Sequence, residues 1–290
     1  MTVAVPLVPR ASVVGRARRI DTRLLIGGGM LALIILAAVS GPLLLARFDP
    51  IELHLDHRLE GPTSTFTLGT DEVGRDIFSR LLSGLQPALL AGLAAVLVAA
   101  ISGTLIGVSS GYFGGKYESF ANRIMDLLLA WPTIFLALAI VLLVGPGRLN
   151  VILAIGIAET PVFARLVRSI TIQNLHGEHV EAALSMGASS RRIMRVHILP
   201  FAVSALIVQL AISTPQAVVA EASLSFLGLG AQPPEPSLGA MLSGAQDFLS
   251  KAPTYTIFPA VTIGILVLSL TLLADGLQDR LDPRRRGGRS

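Results

Sequence analysis

The 290-residue chain contains no cysteine, which excludes disulfides and thiolate metal sites. Charge is scarce as well. Only 14% of residues are Asp, Glu, Lys or Arg, where an ordinary soluble domain carries about 25%. So little polar surface cannot cover a soluble body of this size. Aromatic residues are few, at 5%, so the 52% that is hydrophobic consists mostly of Leu, Ala, Val and Ile. These residues come in blocks, which is the arrangement a bilayer selects. The five histidines (His54, His57, His176, His179 and His197) form no zinc motif. His176 and His179 lie three apart without a third ligand nearby and read as polar loop residues. A pI near 10.1 raises the question of nucleic acid. The basic residues, however, sit at the ends of apolar blocks and build no continuous polar domain, so no nucleic-acid partner is expected.

The apolar blocks predict an all-α, polytopic membrane protein with six transmembrane helices. Leu24–Ala46 is 23 residues without a charge, enough to cross a hydrocarbon core of ~30 Å with some tilt. It is too long for the apolar part of a signal peptide and is read as an uncleaved first span after an N-terminal segment, residues 1–23. Residues 47–80 are polar and rich in turn formers and are expected outside. A five-helix core then covers residues 81–278. Its second span is strongest over Ala88–Val108, and Gly111-Tyr-Phe-Gly-Gly115 breaks the helix after it. The third span is Leu127–Val144, with Trp131-Pro132 near its start. A turn at Gly145-Pro-Gly147 leads to the fourth, Leu149 to about Val167, which carries Glu159 and Pro161. The fifth runs from Phe201 to about Ser223 and the sixth from Tyr255 to about Leu273. Gly228–Lys251 is a second polar loop. Residues 279–290 form a basic tail.

Basic residues set the orientation. With the N-terminus inside, the inner segments hold five before the first span, two at Lys116 and Arg123, five from Arg165 to Arg195, and five in the tail. The outer segments hold Arg47, Arg58, Arg75, Arg80, Arg148 and Lys251. That is 17 of the 23 basic residues inside, which places both termini in the cytoplasm.

The inner segment 168–200 is amphipathic. Ile172, Leu175, His179, Ala182, Ala183 and Met186 recur at helical spacing and form one predicted stripe. Gly187 can take the left-handed conformation that ends a helix. Ser189 or Ser190 can cap the next one, and Pro200 stops it before the fifth span. The physics describes two short cytoplasmic helices joined by a glycine elbow, equally suited to a docking element or a surface-lying linker.

Glu181-Ala-Ala183, Gly187 and Leu199-Pro200 resemble, with matching spacing, the loop signature of binding-protein-dependent ABC importer permeases. The departure is His197 where the pattern has Ile. His-Ile-Leu-Pro is common in the peptide-importer branch, which often has Asn after the Pro where this chain has Phe201. Leu68-Gly-Thr-Asp-Glu-Val-Gly-Arg-Asp-Ile-Phe-Ser-Arg80 is similar to the external segment of the C-type subunits of dipeptide, oligopeptide and nickel importers. So are Glu221-Ala-Ser-Leu-Ser-Phe-Leu-Gly-Leu-Gly230, Gln232-Pro-Pro234 and the end of the chain from Asp275 to Pro283. The resemblance covers about residues 20–283. It implies a multi-pass subunit of the bacterial inner membrane that forms the path for a small solute. Di- or oligopeptides head the list of solutes, with nickel or another small solute as the alternative. It implies three kinds of neighbour besides lipid: a second, homologous permease, two cytoplasmic ATPase subunits and an external solute-binding protein. It also implies that Glu181, Ala182, Ala183, Gly187, Leu199 and Pro200 belong to the loop that docks on an ATPase.

No catalytic, cofactor or metal site is expected. Gly115-Lys116 lacks the Gly and the Ser/Thr of a phosphate loop, since Ser110 and Tyr117 stand there. Two carboxylates fall in or beside apolar spans. Glu159 costs ~2.5–3.5 kcal/mol at mid-bilayer, so it should face the bundle interior, as a lining residue of the path or as a helix contact. Glu221, near the outer end of the fifth span, is read as packing or gating against a neighbouring permease. Pro132, Pro161 and Pro215 remove helix hydrogen bonds and are hinges or static kinks. An ion-coupled secondary transporter would need paired intramembrane charges and inverted repeats. A mere membrane anchor would need no loop signature. The sequence offers Glu159 without an obvious partner, and no internal repeat.

Overall fold

The computed structural model describes residues 22–281. The basic N-terminal segment through residue 21 and the tail arginines at 284–286 and 289 lie outside the described residues. Within them the chain is helical, without a strand; one isolated bridge joins Thr70 and Asp76. Five helices are long and apolar enough to cross a membrane: α1 (Thr22–Leu44), α2 (Ile77–Phe113), α5 (Arg148–Leu175), α8 (Leu199–Phe226, extended backward to Ser190) and α10 (Pro253–Leu281). A sixth crossing needs α3 (Gly115–Leu129) and α4 (Thr133–Val144) together, and these meet at an angle of 94°.

That angle corrects the predicted third span. Leu127–Val144 is not one straight helix. At 1.5 Å per residue the 12-residue α4 is about 18 Å long, short of the hydrocarbon thickness. The break falls at Trp131-Pro132, where Pro132 heads α4 and has no N–H to continue α3. α3 is amphipathic and is tied to α5 by ion pairs of Glu118 with Arg168 and of Asp126 with Arg165. Pro161 and Pro215, in contrast, lie inside the unbroken helices α5 and α8. Each follows a threonine whose hydroxyl donates to the carbonyl four residues back, Thr160 to Gly156 and Thr214 to Leu210.

The centre of the bundle is the α2–α5 contact. Gly103 and Gly107 of α2 let the backbones come so close that an added Cβ would lie 2.5 Å from Phe163 Cβ and from the Ala164 carbonyl, respectively. Small residues at such spacing are how membrane helices pack without a hydrophobic driving force between them. Ser102 and Thr160 join their hydroxyls across the same seam at 2.7 Å. Around it a buried layer gathers Val96, Ile155, Phe163 and Leu224. α1 is peripheral, leaning on α10 and the start of α2.

The ends of the bundle sort the polar segments. Residues 45–76 fold at one end, where Tyr255 of α10 donates to Glu72. The segment 227–252 is at the same end. It contains a helix absent from the sequence reading, α9 (Leu238–Ala245), headed by Ser237, whose Oγ accepts from Ala240 N at 3.5 Å. Gly147 and Arg148 also belong here, bonded to Leu229 O and paired with Glu235. The segment with the glycine elbow is at the opposite end, against Tyr112 near the close of α2.

Candidate functional site

α5 continues through Leu175, so the polar loop begins at His176, eight residues later than the sequence reading had it. α6 (Glu178–Ser185) follows. Because α5 and α6 are separate helices, the phase of the predicted stripe resets between them. The buried residues of α6 are Val180 and Ala183, and Val180 packs with Ile193, Ile198, Tyr112, Leu175 and Ala188. Ile172, His179, Ala182 and Met186 are exposed, Met186 at 81%. Of the predicted stripe, only Ala183 is buried on α6.

Gly187 ends α6 with φ of +78°. Its N–H donates to Leu184 O at 2.9 Å, and Ala188 N–H donates to Ala183 O at 3.0 Å. This is the paired closure of a helix on a left-handed residue. Among the described residues, nothing apart from Gly187 and its immediate chain neighbours lies within 4 Å of where a Cβ at Gly187 would stand. The space over the elbow is therefore open, and glycine is required there by the backbone alone.

Ser189 stands at the head of the next helix, α7 (Ser190–Arg192), but its side chain makes no capping bond. Nor does Pro200 stop this helix. The run passes through a π-helical stretch, Ile193–Ile198, directly into α8, with Pro200 the second residue of α8. Leu199 is half-buried against Val108, Val167 and Ala202. Glu181 and Ala182 are exposed. So Glu181, Ala182 and Gly187 are uncovered, whereas Ala183 is buried beneath them, Leu199 packs on the bundle and Pro200 begins the span.

One feature of this loop has no signal in spacing. His179 Nε2 lies 3.3 Å from His197 O, and its ring is 5.1 Å from that of Phe201. The two positions where the chain departs from the resemblance thus meet at the same histidine.

The two carboxylates are buried at separate places. Glu159 on α5 is 7% exposed. Ser213 of α8 donates to it at 3.5 Å, Gln209 donates to Ser213 at 3.1 Å, and Thr133 of α4 lies nearby. Its polar neighbours are thus neutral groups on two neighbouring helices. Glu221 accepts from Ser225 Oγ at 2.7 Å and is 6% exposed. Gly230 and Gly239 pack close over Ser225. Glu221 therefore points into its own chain.

Sequence reading also left unassigned a cluster at the far end. Asp71 is fully buried and accepts from Val73 N, Arg75 N and Arg75 Nε, with Arg80 Nε 3.7 Å away. Arg80 Nη1 donates to Pro50 O at 2.9 Å. The signal is present in Thr70-Asp-Glu-Val-Gly-Arg75, where an acid and a base stand four residues apart around a glycine turn.

Similarity to known proteins is extensive. Residues 103–287 match the sequence model of the family described as "Binding-protein-dependent transport system inner membrane component". The chain is 41% identical over 261 residues to the glutathione transport system permease protein GsiD of Pectobacterium atrosepticum, covering 89% of this chain and 86% of that one. It is 40% identical over 263 residues to the dipeptide transport system permease protein DppC of Alkalihalophilus pseudofirmus, with 88% and 86% covered. The di/tripeptide permease protein DppC of Pseudomonas aeruginosa is 40% identical over 265 residues, with 89% and 87% covered. Among solved structures, a chain of the inward-facing MetNI methionine ABC transporter superposes with a TM-score of 0.55 at 19% identity. It covers 70% of this chain and 96% of that one, a likeness of fold. The uncovered elbow, the helical bundle and these matches agree. The chain is a multi-pass transport subunit rather than an enzyme, and it belongs to the family of binding-protein-dependent transport system inner membrane components.

Proposed function

We propose that this chain is a permease subunit of an ATP-driven importer of short peptides, glutathione-sized or smaller. It works beside a second, homologous permease, two cytoplasmic ATPase subunits and an external solute-binding protein. The peptide reading rests on the names carried by the relatives at 40–41% identity. The observation that carries the mechanical reading is the elbow. A helix end with Glu181, Ala182 and Gly187 uncovered, seated on the bundle by Val180, is a rigid contact waiting for a protein.

In this reading the elbow is cytoplasmic, as are both termini, in keeping with the excess of basic residues at that end. ATP binding draws the two ATPases together and pushes the elbows of the paired permeases toward each other. The push enters the bundle at both roots of the loop, through α5 on one side and the π-helical stretch into α8 on the other. Those two helices carry Glu159 and its partner Ser213. A polar contact between the two helices that move is the place where a path for a polar solute can open, and Glu159 is the residue assigned to line it.

Gly187→Val tests the elbow. A β-branched residue at φ +78° is strained by roughly 1–2 kcal/mol. The chain should insert and assemble with its sister permease, yet lose most solute uptake and most binding-protein-stimulated ATP hydrolysis in reconstituted vesicles. Normal uptake with normal stimulation would reduce the loop to a linker. An impermeant thiol reagent tests the orientation: a cysteine placed at Ser190 should stay unlabelled in intact cells, and labelling there refutes a cytoplasmic elbow.

A further inference from the structure

The end of the bundle that carries the elbow is basic, and its arginines divide into two kinds. Arg165 and Arg168 are each paired with an acid of α3, Asp126 and Glu118. Arg191 and Arg195 make no ion pair with any acid among the described residues. Both line a pocket of about 390 Å³ between α2 and the root of α8. Its other walls are Thr104, Leu105, Val108, Ser109, Met194 and Leu199, and no acid is among them.

The depth of this pocket is fixed by α2. Ser109 lies four residues before Phe113, the last residue of that helix, or about 6 Å from its end. Leu105 is a further turn in. From Leu105 an exposed apolar ridge runs back along α2 through Ile101, Leu97, Leu93 and Leu90, three or four residues apart. The ridge is about 22 Å long, more than the ~15 Å of one leaflet's hydrocarbon. Two unpaired guanidinium groups and hydroxyls at the head, with an apolar ridge leading inward, complement one kind of molecule. A guanidinium fits phosphate oxygens in a bidentate fork, and basic pockets between spans near the membrane surface suit acidic headgroups.

We propose that this pocket binds an anionic phospholipid. The phosphate lies between Arg191 and Arg195 within reach of Ser109, and one acyl chain lies along the α2 ridge. An aqueous protein partner has charge to match the arginines but nothing to set on Leu105 and Ile101 at that depth. The site touches Met194 in the π-helical stretch and Leu199 at the start of α8, so an occupant braces the root of the elbow. The proposal stands apart from the choice of solute, because its readout is lipid retained by the chain alone.

The test is native mass spectrometry of the full-length chain purified in detergent, titrated with phosphatidylglycerol or with phosphatidylcholine of the same acyl chains. The chain should retain phosphatidylglycerol over phosphatidylcholine. Arg191→Gln with Arg195→Gln should lower that retention about tenfold or more. The double lysine variant, which keeps the charge, should retain most of it. Arg192→Gln, beside the pocket but outside its lining, should bind as the parent does, and Leu105→Ser should weaken binding. Circular dichroism on each variant separates loss of the site from loss of the fold, and the lysine and Leu105 variants carry the test if the glutamine pair is unfolded. Equal retention of the two lipids, an equal loss on Arg192→Gln, or displacement by soluble glycerol phosphate would each overturn the proposal. So would a folded glutamine pair that keeps the lipid but no longer captures its ATPase, which would assign the arginines to protein docking.

Discussion

Two of the long polar segments, one from each end of the bundle, are built on opposite plans. Residues 45–76 close on themselves. Asp71 is saturated by its own neighbours, Phe66 is 2% exposed under Phe48, His54 and His57, and Glu72 reaches across to Tyr255. Residues 176–198 are held mainly by a few aliphatic side chains on the inner face, while Ala182, Leu184 and Met186 are left bare on the outer. Both segments keep apolar side chains in the open, Leu53 and Leu55 in the first and Leu184 and Met186 in the second. The contrast lies in how each is held: by a buried charge cluster and packed rings in the first, mainly by aliphatic contacts in the second.

Substitutions can break that contrast in order of size. Asp71→Ala should act most strongly, because it leaves the buried Arg80 without its acid and Arg75 with Glu72 alone. Removing one partner of such a cluster costs about 3–5 kcal/mol, so thermal unfolding of the detergent-purified chain should fall by on the order of 10 °C. An unchanged midpoint would show that the segment is not a clasp. Tyr255→Phe removes a single hydroxyl from Glu72, whose carboxylate keeps Arg75. The expected loss is about 1.5–3 kcal/mol, the range for a hydrogen bond to a charged group, measured in the same assay. Ala182→Trp lies at the other extreme. It should alter stability by no more than ~0.5 kcal/mol, as surface changes do, while reducing capture of the ATPase subunits in a pull-down. A large drop in stability there, with capture intact, would erase the distinction between the two segments.

Much of this was legible before any coordinates. Blocks of Leu, Ala, Val and Ile located five spans to within a few residues at their apolar centres, since hydropathy reads composition along the chain. It carries no information on direction. A window across Leu127–Val144 is equally apolar whether the chain runs straight or turns through 94° at Trp131-Pro132. Periodicity failed in the loop for a related reason. A 3.6-residue pattern holds only inside one helix, and His176-Gly177 separates two, so the residues that bury on α6 are Val180 and Ala183. Pro200 was misread because proline marks both the end of a helix and the first turn of another. Gly187 was legible because its requirement is local. The pairing of Arg191 and Arg195 with Ser109 was not, since it joins helices more than 80 residues apart in the chain.

The widened turn at Ile193–Ile198 bears on how such a chain tolerates changes of length. A π-helical turn houses an extra residue relative to an α turn. Deleting one residue there would let the run close into regular α-helix. The root of the elbow would then keep its direction, because the wide turn already absorbs that residue. One residue removed from the regular helix of α8, where nothing absorbs the change, would instead rotate the elbow by about 100° about the axis of α8. Ala182 and Met186 would be carried to a different side of the molecule although neither had been altered. The aim of the elbow is thus encoded in the length of the regular helix beneath it, and the wide turn is the place where a change of length is absorbed.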